Sequence, residues 1–480
     1  MLNIQDLPAE VEIIPTSRVD FGGDVGCYFH DLSTRGIVYL DLVFATHGME
    51  KQDSLLLPLL SRALCGCGLA GIPYGEVART LALYSGGFTA GLDAGSLVGR
   101  EEVREQIIFR LKTLKRKLIP ALKTVKNLLL GADFSDLDRL KDILLNQRNA
   151  LKASLIPAGH HFAALRAGSR ISRAMRIEEG WQGITQLIHL TELTAGLTDQ
   201  GSTMAEIAFR LQYLREIIIN KSRLTLNISA EIGNLNTISK ALQPLMAELP
   251  AGNVQSGEGK HAERESRERE PPEKENSFPC HSPGSESFVA PVAVGYVAQS
   301  LAGARFGTPG DAHQAVLANL LTTGPLWHEV RMKGGAYGAF ASQIGLEGVF
   351  SFSSYRDPRI IETLRAYREA LEYGTEGDIG GKIVEEAIIS TIGSEEKPLA
   401  PGEKDIVALK RILYGIDDRL RQQRRREILA VSRSDLAGAA SLLLRLFDGR
   451  HSVVLASGKS ILEAGEELGE LKEGMVELPL

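Results

Sequence analysis

A glycine-containing turn between Arg331 and Tyr337 holds the residues of this sequence that are best suited to chemistry. Gly334 and Gly335 directly follow a predicted helix, and glycines in such a place let the backbone approach another group closely. The Arg331 guanidinium and the Tyr337 phenol could donate hydrogen bonds to a peptide carbonyl and stabilise an oxyanion. The same residues also fit a capped helix end with an arginine near it and a tyrosine in the next strand. Chemistry alone leaves both interpretations open.

A zinc peptidase site of the usual kinds has no counterpart in the sequence. Such a site needs two imidazoles one helical turn apart with a carboxylate between them. Neither H-x-x-E-H nor H-E-x-x-H occurs. The segment at 47–51, His-Gly-Met-Glu-Lys, comes nearest, but Lys51 takes the place of the second imidazole and Gly48 predicts a turn. We therefore expect no metal at this segment.

Two further pairs of potential metal ligands have structural interpretations. His160 and His161 are adjacent, so in a helix they point about 100° apart and cannot both face one metal. We expect one of them to be buried and hydrogen-bonded and the other to be exposed. Cys65 and Cys67 form a C-x-C pair that could begin a metal site, but no second pair lies nearby. We expect both cysteines to be small packing residues at a helix end.

Composition excludes several classes of function. The chain has 480 residues with 44% apolar content, which predicts a soluble protein of two or more domains. A formal charge of −6 gives no reason to expect nucleic acid or an acidic membrane as a partner. There is no G-x-S-x-G nucleophile motif, and the glycines of 303–310 lack the lysine of a phosphate-binding loop. Four cysteines, no signal-like start at 1–6 and no long apolar run predict a cytoplasmic protein.

One domain boundary is clear in the sequence. From 250 to 285 the chain consists mainly of glycine, serine, proline and charged residues, which cannot be buried in a core. We predict a flexible charged linker at 250–285. It separates a first domain with a helical extension, 1–249, from a second domain, 286–480.

The two parts share a plan of strand, helix, further strands, several helices and a closing strand. Strands are predicted at 36–44, 224–229, 287–298, 336–342, 348–354 and 451–456, and a passage from strand to helix at 104–118. Helices are predicted at 53–64, 74–83, 134–155, 204–219, 311–326, 358–373, 381–392, 403–413, 420–430 and 434–446, and after the last strand. The shared plan is compatible with an internal duplication and also with other α+β folds.

Several motifs resemble those of one family. The run from Arg331 to Gly338 has the pattern R-x-K-G-G-A-Y-G, and F-S-F-S-S-Y-R-D-P follows at 350–358. These resemble the C-terminal domain of presequence proteases, in the pitrilysin/insulinase family of inverted-zincin metallopeptidases. Further motifs that fit in the same order lie at 2–8, 57–61, 85–87 and 159–163. The resemblance spans nearly the whole chain outside the linker, and the motif of the second domain is its most specific part.

The resemblance implies an α+β fold of two similar domains, each a mainly antiparallel sheet covered by helices. The family has four such domains in two halves that close around a peptide. Its zinc lies in the first domain, on H-x-x-E-H and a downstream glutamate. When the helix ending at Cys65 is aligned with that motif, Leu57, Leu60 and Ser61 occupy the ligand and base positions. The first domain of this chain therefore resembles the family's zinc-less third domain.

The second domain resembles the family's fourth domain, which supplies an arginine and a tyrosine that hold the substrate backbone. By position in the motif these are Arg331 and Tyr337, with Gly334 and Gly335 in the turn between them.

The resemblance thus implies a function as the non-catalytic, substrate-binding C-terminal half of a zinc metalloendopeptidase that degrades oligopeptides in an enclosed chamber. No cofactor is expected in this chain, which should be inactive alone, and zinc is expected in an N-terminal half or a separate catalytic subunit. The expected partners are peptide substrates and that half.

An alternative is a structural or binding protein of the same fold without a role in proteolysis. The presence of Arg331 and Tyr337 disfavours it, because a scaffold does not need residues that hold a peptide. A self-sufficient hydrolase would need a cluster of His, Asp and Glu that the sequence does not show at any usual spacing.

Overall fold

A computed structural model describes residues 3–20, 25–198, 202–252, 284–376, 379–465 and 470–480. In these ranges the chain forms two six-stranded sheets, one from each side of the predicted linker, with helices against them. The linker predicted at 250–285 lies almost entirely outside the described residues. Among the helices in the described ranges, none is both long and apolar enough to cross a bilayer.

The first sheet has the strand order β1-β2-β8-β3-β6-β5, in which β2 and β8 are parallel and the other neighbours antiparallel. Its central strand β3 is a nearly continuous apolar run, because helices cover both of its faces. The strands of this half, including the separate short pair β4 and β7, are β1 Ser17–Arg18, β2 Gly26–Asp31, β3 Ile37–Ala45, β4 Gly68–Leu69, β5 Gly87–Ser96, β6 Val103–Leu114, β7 Ala132–Asp133 and β8 Leu224–Ala230.

The helices of the first half bury amphipathic faces against this sheet and against one another. The longest, α4, is kinked at Ala158, where Pro157 interrupts the helical hydrogen bonds. The helices are α1 Lys51–Gly66, α2 Tyr74–Tyr84, α3 Leu118–Gly131, α4 Leu137–Gly168, α5 Arg173–Gln182, α6 Ile184–Ala195, α7 Ser202–Ile218 and α8 Leu235–Glu248.

The second sheet repeats the topology of the first. Its order is β11-β12-β10-β13-β9-β14, so that β9-β13-β10-β12-β11 corresponds to β2-β8-β3-β6-β5. The chain is therefore an α+β protein of two similar αβ units, as predicted. The strands are β9 Gly284–Val289, β10 Tyr296–Ala302, β11 Gly338–Ile344, β12 Val349–Tyr355, β13 His451–Ala456 and β14 Met475–Glu477.

The helices of the second half surround its sheet. A π-helix, Trp327–Lys333, joins the first of them to the edge strand β11. The α-helices are α9 Pro309–Thr323, α10 Ile360–Glu376, α11 Gly381–Glu395, α12 Pro401–Tyr414, α13 Asp418–Leu429, α14 Arg433–Arg445, α15 Gly458–Ala464 and α16 Glu470–Glu473.

Each half covers a sheet face of the other half. Helix α12 of the second half packs Leu409 and Leu413 against Val43 and Ile108 of the first sheet. Helix α4 of the first half packs Phe162 and its neighbours against β10 and β13. Packed apolar contacts at these two places therefore join the two halves.

One prediction for the strands needs correction, and strand β5 was missed. The single strand predicted at 287–298 is two strands, β9 and β10, which lie on opposite sides of β13. The segment between them contains Pro291, which lacks the N–H that a continuous strand would need. Strand β5 was not predicted because its glycines and alanines have low strand propensity, yet it pairs with β6 along its whole length.

Candidate functional site

The turn that carries the sequence motif closes the π-helix Trp327–Lys333. The Gly334 N–H donates to the Glu329 carbonyl five residues earlier at 2.9 Å, and the Gly335 N–H to the Arg331 carbonyl at 3.1 Å. A Cβ on Gly334 would lie 2.4 Å from a backbone carbonyl oxygen, and Gly335 has a φ of +83°. π-Helical turns are rare and are often found at functional sites. The glycine N–H groups are used inside the turn, so the glycines contribute its shape; their contact with a peptide stays a prediction.

The Arg331 guanidinium is stacked but not paired with a carboxylate. It lies 3.9 Å from the centroid of the Trp327 ring. The nearby Glu329 carboxylate instead accepts from Lys333 at 2.8 Å and contacts His328 Nδ1 at 2.9 Å, and these two groups lower the pKa of Glu329. Among the residues that the structure describes, Arg331 has no ion-pair partner. The stacking therefore orders a guanidinium whose N–H groups remain available to a ligand.

Tyr337 stands beside this guanidinium at the surface. Its side chain is 67% exposed, and its ring centroid lies 6.0 Å from Arg331. The Tyr337 N–H donates to the Tyr355 carbonyl at 3.0 Å, and the two rings meet edge to face at 5.6 Å. The Tyr337 hydroxyl has no hydrogen-bond partner among the described residues. The structure thus places Arg331 and Tyr337 side by side on a fixed backbone, and their role in binding peptide stays a prediction.

The same aromatic group extends to the first half through His160 on α4. The His160 ring lies 4.8 Å from Tyr355 and 4.0 Å from His161. His161 is exposed as predicted, but His160 is half-buried and not fully buried, and no described residue bonds its buried Nδ1 atom, so the predicted hydrogen bond is absent. Aromatic rings surround this imidazole, and burial, with the neighbouring His161, lowers the pKa of His160 to about 4.

A cleft of about 1450 Å³ separates the two halves next to these histidines. Its walls are α1, the edge strand β5, α4, α5 and the face of β11 and β12, and both His160 and His161 line it. Gly159 explains how α4 reaches this place, because a Cβ there would lie 2.5 Å from the Tyr296 ring of β10. The motif at 159–163 therefore marks a close contact between the halves.

The α1 positions that correspond to zinc ligands do not fit zinc. Leu57 and Leu60 are both 0% exposed in the core of the first half. The Ser61 hydroxyl donates to the Pro58 carbonyl at 2.9 Å within the helix. Apolar side chains in a core supply neither a ligand nor a base. In the ranges that the structure describes, no group of three or more His, Cys, Asp or Glu side chains is placed to hold a metal.

The C-x-C pair lies at the C-terminus of α1, as predicted. Cys67 is buried and Cys65 is half-buried beside the cleft. Burial raises the pKa of each thiol to about 12, which keeps both protonated and unsuited to metal binding. Gly48, in the histidine segment before α1, has a φ of +82° and forms the predicted turn.

Comparison with known proteins identifies the class to which this fold and motif belong. The family model for the domain associated with M16 peptidases of subfamily C matches residues 1–193, and that for the PreP C-terminal domain matches residues 285–458. Presequence protease 1 of Arabidopsis thaliana, chloroplastic/mitochondrial, is 27% identical over 97% of this chain and 41% of its own length. Protein HypA of Clostridium perfringens is 24% identical over 98% of this chain and 46% of its own length.

Solved structures show the same fold. A conserved protein from Enterococcus faecalis has a TM-score of 0.66 at 14% identity, over 92% of this chain and 98% of that one. The peptidase M16 inactive domain from Pseudomonas fluorescens has a TM-score of 0.61 at 17% identity, over 93% of this chain and 98% of that one. The chain has the fold of the M16 peptidases. More narrowly, it belongs to the presequence protease branch of that family, and it spans less than half the length of these two curated relatives.

Sequence reasoning missed the parts of the site that depend on long-range contacts. Trp327 lies in the same run as Arg331, and its spacing of four residues could have indicated the stacking. The π-helix, the Tyr355 contact with His160 and the open side of β5 have no local signal, because each depends on how the two halves pack.

Proposed function

We propose that this chain is the non-catalytic half of a zinc metalloendopeptidase and that it binds and orients peptide through Arg331 and Tyr337. The observation that carries the proposal is the ordered, unpaired guanidinium stacked on Trp327 beside an exposed phenol. A guanidinium that stacks on an aromatic ring and has no carboxylate partner keeps its N–H groups available to a ligand. Its position in a motif of the presequence protease branch supports the same role.

The pair would act on the backbone of the peptide. Arg331 and the Tyr337 hydroxyl can each donate a hydrogen bond to a peptide carbonyl oxygen, and these bonds strengthen as negative charge develops on an oxygen. Their contribution to cleavage would then be positioning and charge stabilisation, and a partner half would supply the zinc that activates water. The expected partner is a zinc-bearing N-terminal half or subunit, and the enclosed chamber would form between the two.

Turnover of a peptide by the assembled enzyme tests this role. Arg331→Ala and Tyr337→Phe, with the zinc-bearing half supplied, should each lower kcat/KM, on the order of 100-fold for the arginine. Met332→Ala is the matched control, since Met332 is an exposed residue of the same π-helix. The melting temperature of all three variants should stay that of the wild type.

Wild-type turnover in both site variants would contradict the proposal and favour the alternative, a structural or binding protein of the same fold. The cytoplasmic location stays a prediction, which fractionation of cells of the source organism would check.

A further inference from the structure

The edge strand β5 offers backbone groups on the side that faces away from β6. The Leu97 N–H donates to the Glu102 carbonyl at 2.9 Å, just past the end of the β5–β6 pairing and in the same register. In an antiparallel pair the direction of the N–H alternates along the strand. The odd-numbered residues of β5 therefore direct their N–H groups to β6, and the even-numbered residues direct theirs away from it.

At the C-terminal end of β5, side chains from elsewhere occupy these outward groups. The Ala94 N–H donates to the Glu178 carboxylate of α5 at 3.0 Å. The Ser96 N–H donates to the Glu347 carboxylate of the second half, also at 3.0 Å. This end of the edge is thus closed to another strand, by a device that natural sheets commonly use.

At the N-terminal end the edge is open. The outward N–H groups of Phe88, Ala90 and Leu92 donate to no residue that the structure describes, and all three residues line the cleft between the halves. A Cβ on Gly91 would meet nothing within 4 Å, so there is space on the exposed face of the strand. The open stretch, residues 88–92, is long enough to pair with about five residues of an extended chain.

The same cleft contains buried acceptors without partners. Gln147 is 5% exposed and Gln186 is 0% exposed, both line the cleft, and the side-chain oxygen of each bonds no described residue. The Nδ1 atom of His160, which also lines the cleft, is likewise buried without a hydrogen-bond partner among the described residues. Buried acceptors without a donor are uncommon in native proteins, so the wall of this cleft is polar and incompletely hydrogen-bonded within the described residues.

We propose that the open edge of β5, residues 88–92, is a second peptide-binding site, at which an extended peptide adds to the first sheet as a further strand. Backbone hydrogen bonds to Phe88, Ala90 and Leu92 would give affinity with little dependence on peptide sequence. This site uses neither Arg331 nor Tyr337, so it does not depend on the proposed function. The first half of the chain, which resembles a zinc-less domain, would then bind peptide independently of the second half.

A single extended peptide fits this edge better than a second copy of the chain does. The edge lies inside a cleft whose walls come from both halves. Edge-to-edge pairing of two copies needs a strand that projects from the surface, whereas a peptide can enter a recessed groove.

Binding of a labelled peptide by the 480-residue chain tests the proposal. The probe is a fluorescein-labelled peptide of about ten residues, with alternating threonine and valine and a lysine at each end, followed by fluorescence anisotropy. Ala90→Pro removes one outward N–H without removing a bond to β6, and Ala90→Ser is the matched control that keeps this N–H. We expect the Kd to rise about tenfold in Ala90→Pro and to stay unchanged in Ala90→Ser.

A second measurement does not depend on how the proline variant folds. N-methylation of the peptide at alternate positions should weaken binding to the wild-type chain, and methylation at the intervening positions should not, because only every second N–H of an added strand faces β5.

Any of the following outcomes would overturn the proposal: no binding by the wild type, equal binding by Ala90→Pro, no alternation on N-methylation, or self-association of the chain that Ala90→Pro abolishes. Binding lost only in Arg331→Ala would also overturn it and would leave the proposed function standing.

Discussion

The two halves of the chain repeat one topology but differ at the turn that leads into the edge strand. In the first half, Gly87 with a φ of +146° begins β5 after the end of α2. In the second half, Gly335 with a φ of +83° precedes β11 after the π-helix. The second turn carries the stacked Arg331 and the exposed Tyr337, whereas Phe88 after the first turn packs against the core.

The edge strands of the two sheets also differ, and here the first half has the more open backbone. The Ala341 N–H of β11 donates to the Thr322 hydroxyl of α9 at 2.8 Å, whereas the N-terminal stretch of β5 has no such cover among the described residues. The second half thus exposes the side-chain donors Arg331 and Tyr337, whereas the first half exposes backbone N–H groups of β5. Under the two proposals above, the two copies of a repeated fold would keep the same packing and would contact a peptide in different ways.

The largest effect on stability is expected at a position that aligns with a zinc ligand but is a buried core residue in the first half. Leu57 is fully buried on α1, so Leu57→Ala should lower the free energy of unfolding by about 2–5 kcal/mol. Denaturation with urea measures this, and Leu83→Ala, at a 56% exposed site on α2, is the control with little change. A loss below about 0.5 kcal/mol at Leu57 would contradict its assignment to the core.

A smaller effect separates the glycines of the two halves. Gly334→Ala forces a Cβ against the π-helix backbone and should cost about 1–3 kcal/mol, since the turn must shift. Gly91→Ala in β5 meets open space and should be neutral or slightly stabilising. Thermal unfolding of both variants distinguishes them. If the Gly334→Ala and Gly91→Ala variants had the same melting temperature, the assignment of a tight turn at Gly334 would be wrong.

The contact between the halves should make stability depend on pH. Arg110 of the first sheet pairs with Asp41 at 2.8 Å and with Asp405 of α12 at 2.7 Å. Burial, with the nearby Asp41 carboxylate, raises the pKa of Asp405 to about 7, although Arg110 opposes this. The folded state therefore binds a proton that the unfolded chain releases, and this stability is lost as pH rises from about 4 through about 7.

Asp405→Asn should remove this contribution. Relative to the wild type, the variant should gain stability as pH rises from about 4 to about 7, by about 1.4 kcal/mol for each unit of pKa difference that is titrated. Asp142→Asn, at an exposed aspartate, should follow the wild type. Parallel curves for Asp405→Asn and the wild type would mean that Asp405 does not titrate in this range.

The smallest effect is expected for a deletion within 253–276, the part of the predicted linker that lies outside the described residues. The composition of this segment gives it little to bury, so its removal should change the free energy of unfolding by less than about 0.5 kcal/mol. A large drop in the melting temperature would refute the linker prediction.

The sequence predicted most helices of this fold because their apolar residues repeat with a helical period over many turns, as in α4 and α7. It also located Arg331 and Tyr337, since a turn with two glycines and a family motif are local signals. It did not predict β5, whose strand state depends on pairing with β6 and not on its own propensity. The contact between the His160 and Tyr355 rings could not be predicted either, because 195 residues separate the two and only the packing of the halves brings them together.

The most direct test of the central claim is cleavage of a quenched fluorescent peptide of about 20 residues by the purified, folded chain, with added zinc, in the presence and absence of a chelator. We expect no cleavage by the chain alone, and chelator-sensitive cleavage once a zinc-bearing half is supplied. Chelator-sensitive cleavage by this chain alone would contradict the account, because it would require a metal site that neither α1 nor any other described element provides.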